Sequence, residues 1–466
     1  MKLERTEKPR IAVVIAARNV ARWINECLES VLSQSLQAAE VVYVDDGSDD
    51  ESAVMAEAWQ AQFPERLRVM RLAESHWMAE ARNAGVRATT APLVLCWDGD
   101  DVMPKDFLRD MHAALRTGDA FSYCGRLFFG EATGFKPAPA WDRRTLWDHN
   151  FVPSPMLMRR HDFEAVGGWV EPPVRAMPDW HLALRLSARG TASPSCALAG
   201  VRKHGGNHSD GWKRNKKAVL GQVRRHAASL TVGMVYGGRL PELMPSWLEA
   251  VARSLQDACK TAELLVLDAS EEGFRMRGES AVVREVFSAV HLRRMPHAPK
   301  LAHVARDGPE VKRLLATHLA GACNDLLRLA SGDVLWMLED DMIVPTHACR
   351  VLLRELVGGC KPRAAVSGVY RSRRAPERIV AQCLRGEGAP SLTECPAEAM
   401  EVDLAGTGCL MLLRDLAMER ARFNANFRNA WCHDSAFSGA LAERGGKVLL
   451  VPEVQVRHYQ TMEESV

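Results

Sequence analysis

One arrangement occurs twice in these 466 residues: a short apolar run that ends in a knot of acids, with a proline just beyond. Pro92-Leu93-Val94-Leu95-Cys96-Trp97 leads into Asp98-Gly99-Asp100-Asp101 and Pro104; Asp333-Val334-Leu335-Trp336-Met337-Leu338 leads into Glu339-Asp340-Asp341 and Pro345. An unbroken apolar run of strand length is the pattern of a parallel strand buried on both faces. Carboxylates crowded where such a strand emerges repel one another and are desolvated, so they persist most easily where a divalent cation neutralises them. The duplication therefore predicts two α/β domains, each with an acidic site at a strand end.

The surrounding elements repeat in the same order. Arg10-Ile11-Ala12-Val13-Val14-Ile15-Ala16 reads as a strand, Trp23, Ile24, Cys27, Leu28, Val31 and Leu32 recur at helical spacing, and Glu40-Val41-Val42-Tyr43-Val44 returns to strand chemistry. This β-α-β unit ends in Asp45-Asp46-Gly47-Ser48, at the carboxyl edge where open α/β sheets bind ligands. In the second half Thr231-Val232-Gly233-Met234-Val235-Tyr236 corresponds to the first strand, a helix around Trp247 to Leu255 follows, and Leu264-Leu265-Val266-Leu267 leads into Asp268-Ala269-Ser270. Ala322-Cys323-Asn324-Asp325 stands where Ala81-Arg82-Asn83-Ala84 stood. An offset of about 240 to 255 residues means duplication of a whole domain, not a solenoid repeat. The expected domains are 1–225 and 226–466.

Composition removes several alternatives. With 60 basic and 58 acidic residues the net charge is +2, without the imbalance of a dedicated nucleic-acid binder. No apolar run approaches the roughly 20 residues needed to cross a bilayer, and the charged start lacks a signal-peptide pattern. Twelve cysteines include no Cys-x-x-Cys pair, which disfavours a zinc site or disulfide framework and fits a reduced, cytoplasmic compartment. The basic run Lys213-Arg214-Asn215-Lys216-Lys217 with Arg224-Arg225-His226 reads as a solvated connecting helix, with a phosphate-binding patch held in reserve. Residues 370 to 400, rich in Arg, Gly and Pro, read as a long irregular loop of the kind that serves as a lid.

An ordered series runs through each half. In the first it is Val42 to Ser48, Ala81-Arg82-Asn83, Asp98-Gly99-Asp100-Asp101, Pro178-Asp179-Trp180-His181, then His204 and Asn207; in the second, Asp268-Ala269-Ser270, Asn324, Glu339-Asp340-Asp341, His433-Asp434-Ser435, then Pro452 and His458. This series resembles the family 2 glycosyltransferases of the GT-A fold over nearly the whole chain. The resemblance implies two tandem GT-A domains with mixed, mostly parallel sheets. It also implies inverting transfer from a nucleotide-diphosphate sugar, a UDP-sugar first among them, to an acceptor hydroxyl.

A cation on the diphosphate neutralises charge that develops on the leaving group. The resemblance places Mn²⁺ or Mg²⁺ on Asp98, Asp100 and His204 in the first half and on Glu339, Asp341 and His458 in the second. It assigns the catalytic base to Asp179 and Asp434, carboxylates at helix starts suited to accepting the acceptor's proton; helix capping is the simpler use of an aspartate there. Donor contacts are expected at Ala16, Ala17, Asp45, Asp46, Arg82, Asn83 and Asp98, and at Asp268, Asn324 and Asp340. Cys323 replaces the arginine in the second half, which weakens that donor site unless Lys312, Arg313 or the long loop compensates. Asn150 to Ser154, Gly167-Gly168-Trp169 and Ala405 to Cys409 are candidates for sugar and acceptor selection, and Trp141, Trp147, Trp169 and Trp431 for sugar stacking or core burial. Two alternatives remain: one active domain beside a domain that only binds donor or acceptor, and a nucleic-acid-associated protein, not favoured, that glycosylates a modified base.

Overall fold

The computed structural model describes residues 9–171, 176–205, 216–238, 240–258, 260–270, 272–276, 280–295, 309–359, 361–371, 378–382, 392–421, 423, 433–444 and 446–459, without the side chains of 216–217, 309–316, 382, 420, 433–436 and 439. The chain divides into two units, Met1–Ala227 and Ala228–Val466.

The first unit is built on strands β1 (Ile11–Ala17), β2 (Glu40–Asp45), β3 (Leu67–Arg71), β4 (Leu93–Asp98), β5 (Asp119–Gly130), β6 (Gly134–Lys136), β7 (Met156–Arg159) and β8 (Thr191–Lys203). They form one sheet in the order β3-β2-β1-β4-β7-β5-β6, with β8 also on β5. β1, β2, β3 and β4 run parallel, β7 is antiparallel to β4 and β5, and β8 is parallel to β5. The β1 run Ile-Ala-Val-Val-Ile is wholly buried, as a central parallel strand requires. Its crossover helix, Ile24–Leu32, buries Ile24, Cys27, Leu28, Val31 and Leu32, a single stripe at helical spacing.

The second unit has strands β9 (Leu230–Tyr236), β10 (Ala262–Asp268), β11 (Phe287–Arg294), β12 (Val334–Leu338), β13 (Met342–Ile343), β14 (Ala365–Val369), β15 (Ala381–Gln382), β16 (Met400–Val402), β17 (Leu404–Ala405), β18 (Cys409–Leu413), β19 (Val448–Gln455) and β20 (Arg457–His458). Its main sheet has the order β11-β10-β9-β12-β18-β14-β19-β16. β9, β10, β11 and β12 are parallel, β18 is antiparallel to β12 and β14, and β19 is parallel to β14. Seven strands thus follow one plan in both units, and each unit is an α/β domain built on a mixed sheet.

Strand register fixes which residues correspond. Asp45 pairs with Ala17, and Asp268 pairs with Tyr236 at the same place in its sheet. Leu93 lies beside Ile11 as Val334 lies beside Leu230, so Asp98 corresponds to Glu339 and Asp100 to Asp341. Part of the long 370–400 segment is ordered into pairing: Arg371 bridges Ile379, and β15 pairs with β17. The junction is not a solvated helix throughout. In Lys216–Ala227, Arg224 is fully buried, donating to Trp147 O and, at 2.6 Å, to Asp148 O, while His226 Nδ1 meets buried His181 Nε2 at 2.8 Å. Arg224 belongs to the interior of the first unit, whereas His226 is exposed and reaches in to the buried His181; Lys213, Arg214 and Asn215 lie outside the described residues.

Candidate active sites

In the first unit the carboxyl ends of β1, β2 and β4 bring the expected donor residues into adjacent positions: Ala17 beside Asp45 and Ala16 beside Asp98. The two neighbouring acids of β2 differ in use. Asp46 accepts from Ser75 Oγ and His76 N, both at 2.8 Å, and so holds the loop before the helix Trp77–Arg87. Buried Asp45 accepts from Ser48 N at 3.1 Å through Oδ2, while its Oδ1 has no hydrogen-bond partner among the described residues, a costly state unless a ligand donor completes it.

Arg82, on the helix Trp77–Arg87, is 3% exposed and donates to Asp98 Oδ1 at 2.5 Å. Its guanidinium lies 4.4 Å from the centre of the Trp169 ring, which is itself buried. Trp169 is held by Asn83, whose Nδ2 donates to Trp169 O at 2.7 Å and whose Oδ1 accepts from Trp169 N at 2.9 Å. Asn83 therefore braces the platform beneath Arg82. Gly168, at a φ of +66°, permits this contact, since a Cβ there would lie 2.7 Å from Asn83 Oδ1.

The acidic turn beyond β4 carries three carboxylates. Asp100 Oδ2 meets His204 Nε2 at 2.9 Å, and the His204 ring lies 4.2 Å from that of Trp23. Burial and the Asp98 charge raise the Asp100 carboxyl above its ordinary value against the pull of His204. Asp101 is pushed up to about 8 by burial first and then by Asp98 and Asp100. Such mutual repulsion suits a site for a divalent cation.

Asp179 is the second residue of the helix Pro178–Leu186, whose cap is Met177 at a φ of 53°; the cap makes no side-chain hydrogen bond. The Asp179 carboxylate accepts from Asn150 Nδ2 at 3.0 Å. Burial raises its pKa, opposed by hydrogen bonds from the Trp180 backbone and Asn150 and by the charges of Arg82 and Arg126. Asp179 and Arg82 are thus close enough for their charges to act on each other.

The second unit repeats the frame with different chemistry. Asn324 donates to Phe423 O at 2.8 Å and accepts from Phe423 N at 3.0 Å, the same clamp that Asn83 makes on Trp169. Cys323 accordingly occupies the Arg82 position. Asp268 accepts from Ser270 N and Oγ through Oδ1, and from Phe274 N and Arg294 through Oδ2, so both oxygens are engaged within a closed turn. Asp340 Oδ2 accepts from Gly237 N at 2.8 Å, tying the ends of β9 and β12 together.

Glu339, Asp341 and His458 present ligand atoms that all lie within 4.8 Å of one another, the one such group of three among the described residues. β13 pairs with β20, setting Met342 beside His458. His458 Nδ1 is 2.9 Å from Arg371 O, and a carbonyl only accepts, so this nitrogen carries the proton. Nε2 lies 3.4 Å from Asp341 Oδ1 and has no hydrogen-bond partner among the described residues. With Nδ1 engaged by the carbonyl, Nε2 is the ring atom left to ligate a cation beside the two carboxylates. The glycines of Ala405 to Cys409 serve Tyr370 locally: Gly408 N donates to its hydroxyl at 2.9 Å, and a Cβ on Gly406 would overlap that oxygen. Asp434 stands second in the helix His433–Glu443; its side chain, the side chains of Lys312 and Arg313, and all of Asn207 and Trp431 lie outside the described residues.

Residues 12–166 match the family model described as Glycosyl transferase family 2. The glycosyltransferase GlyG of Streptococcus pneumoniae is 28% identical over 125 residues, covering 27% of this chain and 41% of that protein. Succinoglycan biosynthesis protein ExoU of Rhizobium meliloti is 38% identical over 91 residues, covering 20% of this chain and 26% of its own. The chain thus spans less than half the length of either relative. Among solved structures, S. aureus TarS 1-349 in complex with UDP-GlcNAc is similar with a TM-score of 0.40 and 19% identity, over 47% of this chain and 65% of that one. The mannosyltransferase PcManGT of Pyrobaculum calidifontis, in complex with GDP-Man and Mn2+, has a TM-score of 0.38 and 20% identity, over 48% and 65%. The first unit carries a family 2 glycosyltransferase domain. Among the described residues no helix is long and apolar enough to cross a membrane.

Proposed function

We propose that the chain is a tandem, metal-dependent, inverting glycosyltransferase whose two domains, close to 1–225 and 226–466, each take a nucleotide-diphosphate sugar. The observation that carries this reading is the shared strand plan, which sets matching acids at one sheet edge in both units: Asp45 with Asp268, Asp98 with Glu339, and Asp100 with Asp341. Each of Asp100 and Asp341 also faces a histidine.

In the first domain Asp45 Oδ1 accepts a donor hydrogen from the base, Ala16 and Ala17 border the nucleoside, and Arg82 on its Trp169 platform binds the diphosphate. Asp98, Asp100 and His204 would hold Mn²⁺ or Mg²⁺, as Glu339, Asp341 and His458 would in the second domain. When bound, that ion neutralises charge on the departing diphosphate. Asp179, oriented by Asn150 and with the charges of Arg82 and Arg126 favouring its ionised form against burial, takes the acceptor hydroxyl's proton as the oxygen attacks the anomeric carbon. Asp434 has that role in the second domain. A UDP-sugar is the first donor to test, and a cytoplasmic location fits such donors.

The differences at Cys323 and in the closed Asp268 turn favour unequal domains, with the second reading a different donor or serving as a binding module. Screening nucleotide sugars with Mn²⁺ and Mg²⁺ for donor hydrolysis, with Asp179→Asn and Asp434→Asn as separate variants, tests both points. Loss of turnover in both variants supports two catalysts; loss in Asp179→Asn alone leaves one. Hydrolysis of no nucleotide sugar under either metal sinks the transferase reading.

A further inference from the structure

Three cations gather on one face of the ribbon made by β5, β6 and the end of β8. Arg126 and Lys136 are directly opposite each other in the antiparallel β5–β6 ladder, and Lys203 stands opposite Gly130 on the same side. All three lie over Phe128: Arg126 at 5.8 Å, Lys136 at 6.0 Å and Lys203 at 4.7 Å from the ring centre. Like charges directly across a ladder oppose pairing. The cation–π contacts with a single ring offset only part of that repulsion. Among the described residues none of the three is ion-paired to a carboxylate. By contrast, neighbouring Arg202 is engaged by Glu26 and the Asp100 backbone.

This cluster adjoins the proposed base. Asn150, which bonds Asp179, is followed by Phe151; the Phe151 ring contacts Tyr123 of β5 at 5.8 Å and Trp141 at 6.1 Å. Three residues along β5 from Tyr123 is Arg126, near enough for its charge to lower the Asp179 pKa. Half-buried Phe151 and Trp141, which suit a sugar face, thus connect Asp179, through Asn150 and buried Tyr123, to β5 and to three cations without a direct carboxylate partner among the described residues, Lys203 acting only at a distance on Asp101 and Arg126 on Asp179.

We infer that Arg126, Lys136 and Lys203 form an anion subsite that holds a phosphate or carboxylate of the acceptor while its hydroxyl meets Asp179. The acceptor class is then a sugar or polyol that bears anionic groups. This deepens the transferase reading and rests on it for the word acceptor, but its test needs no turnover. Binding of glucose, glucose 6-phosphate and glucuronate to the full chain is measured by titration at low and high salt.

The wild-type protein is expected to bind an anionic sugar at least about tenfold more tightly than glucose, a margin matching one charge-assisted contact. High salt should erode that preference. Preference for glucose 6-phosphate marks a phosphate acceptor, and preference for glucuronate a carboxylate one. The combined variant Arg126→Gln, Lys136→Gln, Lys203→Gln should lose the margin, and Arg126→Lys, Lys136→Arg, Lys203→Arg should retain it with an unchanged Tm. Equal binding of glucose and both anionic sugars overturns the inference, as does a preference undiminished in the glutamine variant. Binding of an RNA or DNA oligonucleotide through these residues without any sugar-phosphate preference overturns it as well. Donor hydrolysis by the wild-type chain judges the transferase reading separately.

Discussion

Asp179 sits where burial favours its neutral form, while the base role proposed for it needs the ionised form, and Asn150, the Trp180 backbone and two arginines oppose the rise in its pKa. Asp179→Asn is expected to reduce transfer by about 10²- to 10⁴-fold, with nucleotide binding retained in a direct titration. Asn150→Ala removes a hydrogen bond to the ionised form, so the acid limb of the rate profile should move to higher pH. Because the folded-state pKa is raised, the group opposes folding increasingly as pH rises above the ordinary aspartate range. Asp179→Asn should therefore raise the Tm at neutral pH, with the gain vanishing in acid. Asn83 and Asn324 teach a different lesson. Sequence position marked both as donor contacts, and in the structure each is bonded at both ends of its amide to the backbone of Trp169 or Phe423. Their motif was legible, but the partner lies 86 or 99 residues away and only folding identifies it. Asn83→Ala strands a buried N–H and C=O and should cost about 2–4 kcal/mol in chemical denaturation, and should weaken nucleotide binding as the Arg82 platform shifts.

Among the elements, the parallel strands and their crossover helices were readable because buried strands are unbroken apolar runs and half-buried helices carry a stripe. β5, β6 and β8 were not, since their functional residues are single cations and aromatics spread over a ribbon. No local pattern announces Arg126. The helix Lys216–Ala227 reversed its expectation most sharply: a basic segment normally faces water, yet Arg224 is enclosed against Trp180 and two backbone carbonyls. Arg224→Met keeps much of the packing but leaves Trp147 O and Asp148 O without their donor. It should destabilise the first unit by about 2–4 kcal/mol, and hydrogen exchange should report the opening in that helix and residues 143–150 before it reaches the second unit.

At the scale of the whole molecule, duplication produced one frame twice and then two different sites. The second frame keeps a compact carboxylate–histidine group but carries cysteine in place of arginine, and Asp268, the counterpart of Asp45, is engaged by its own turn and by Arg294. Manganese titration followed by electron paramagnetic resonance should find a site lost in Asp341→Asn and a separate one lost in Asp100→Asn. If one variant removes all binding, only one unit holds metal. The sequence by itself determined the tandem α/β plan, the acidic strand ends and the order of motifs, because each is written in local periodicity and repeated at a nearly constant offset. Tertiary structure decided which Asp45 or Asp46 oxygen is open, which asparagine is a brace, and which histidine nitrogen carries its proton. It also decided where three cations converge. These depend on hydrogen bonds and charges between residues far apart in the chain, whose partners are selected only when the sheet closes.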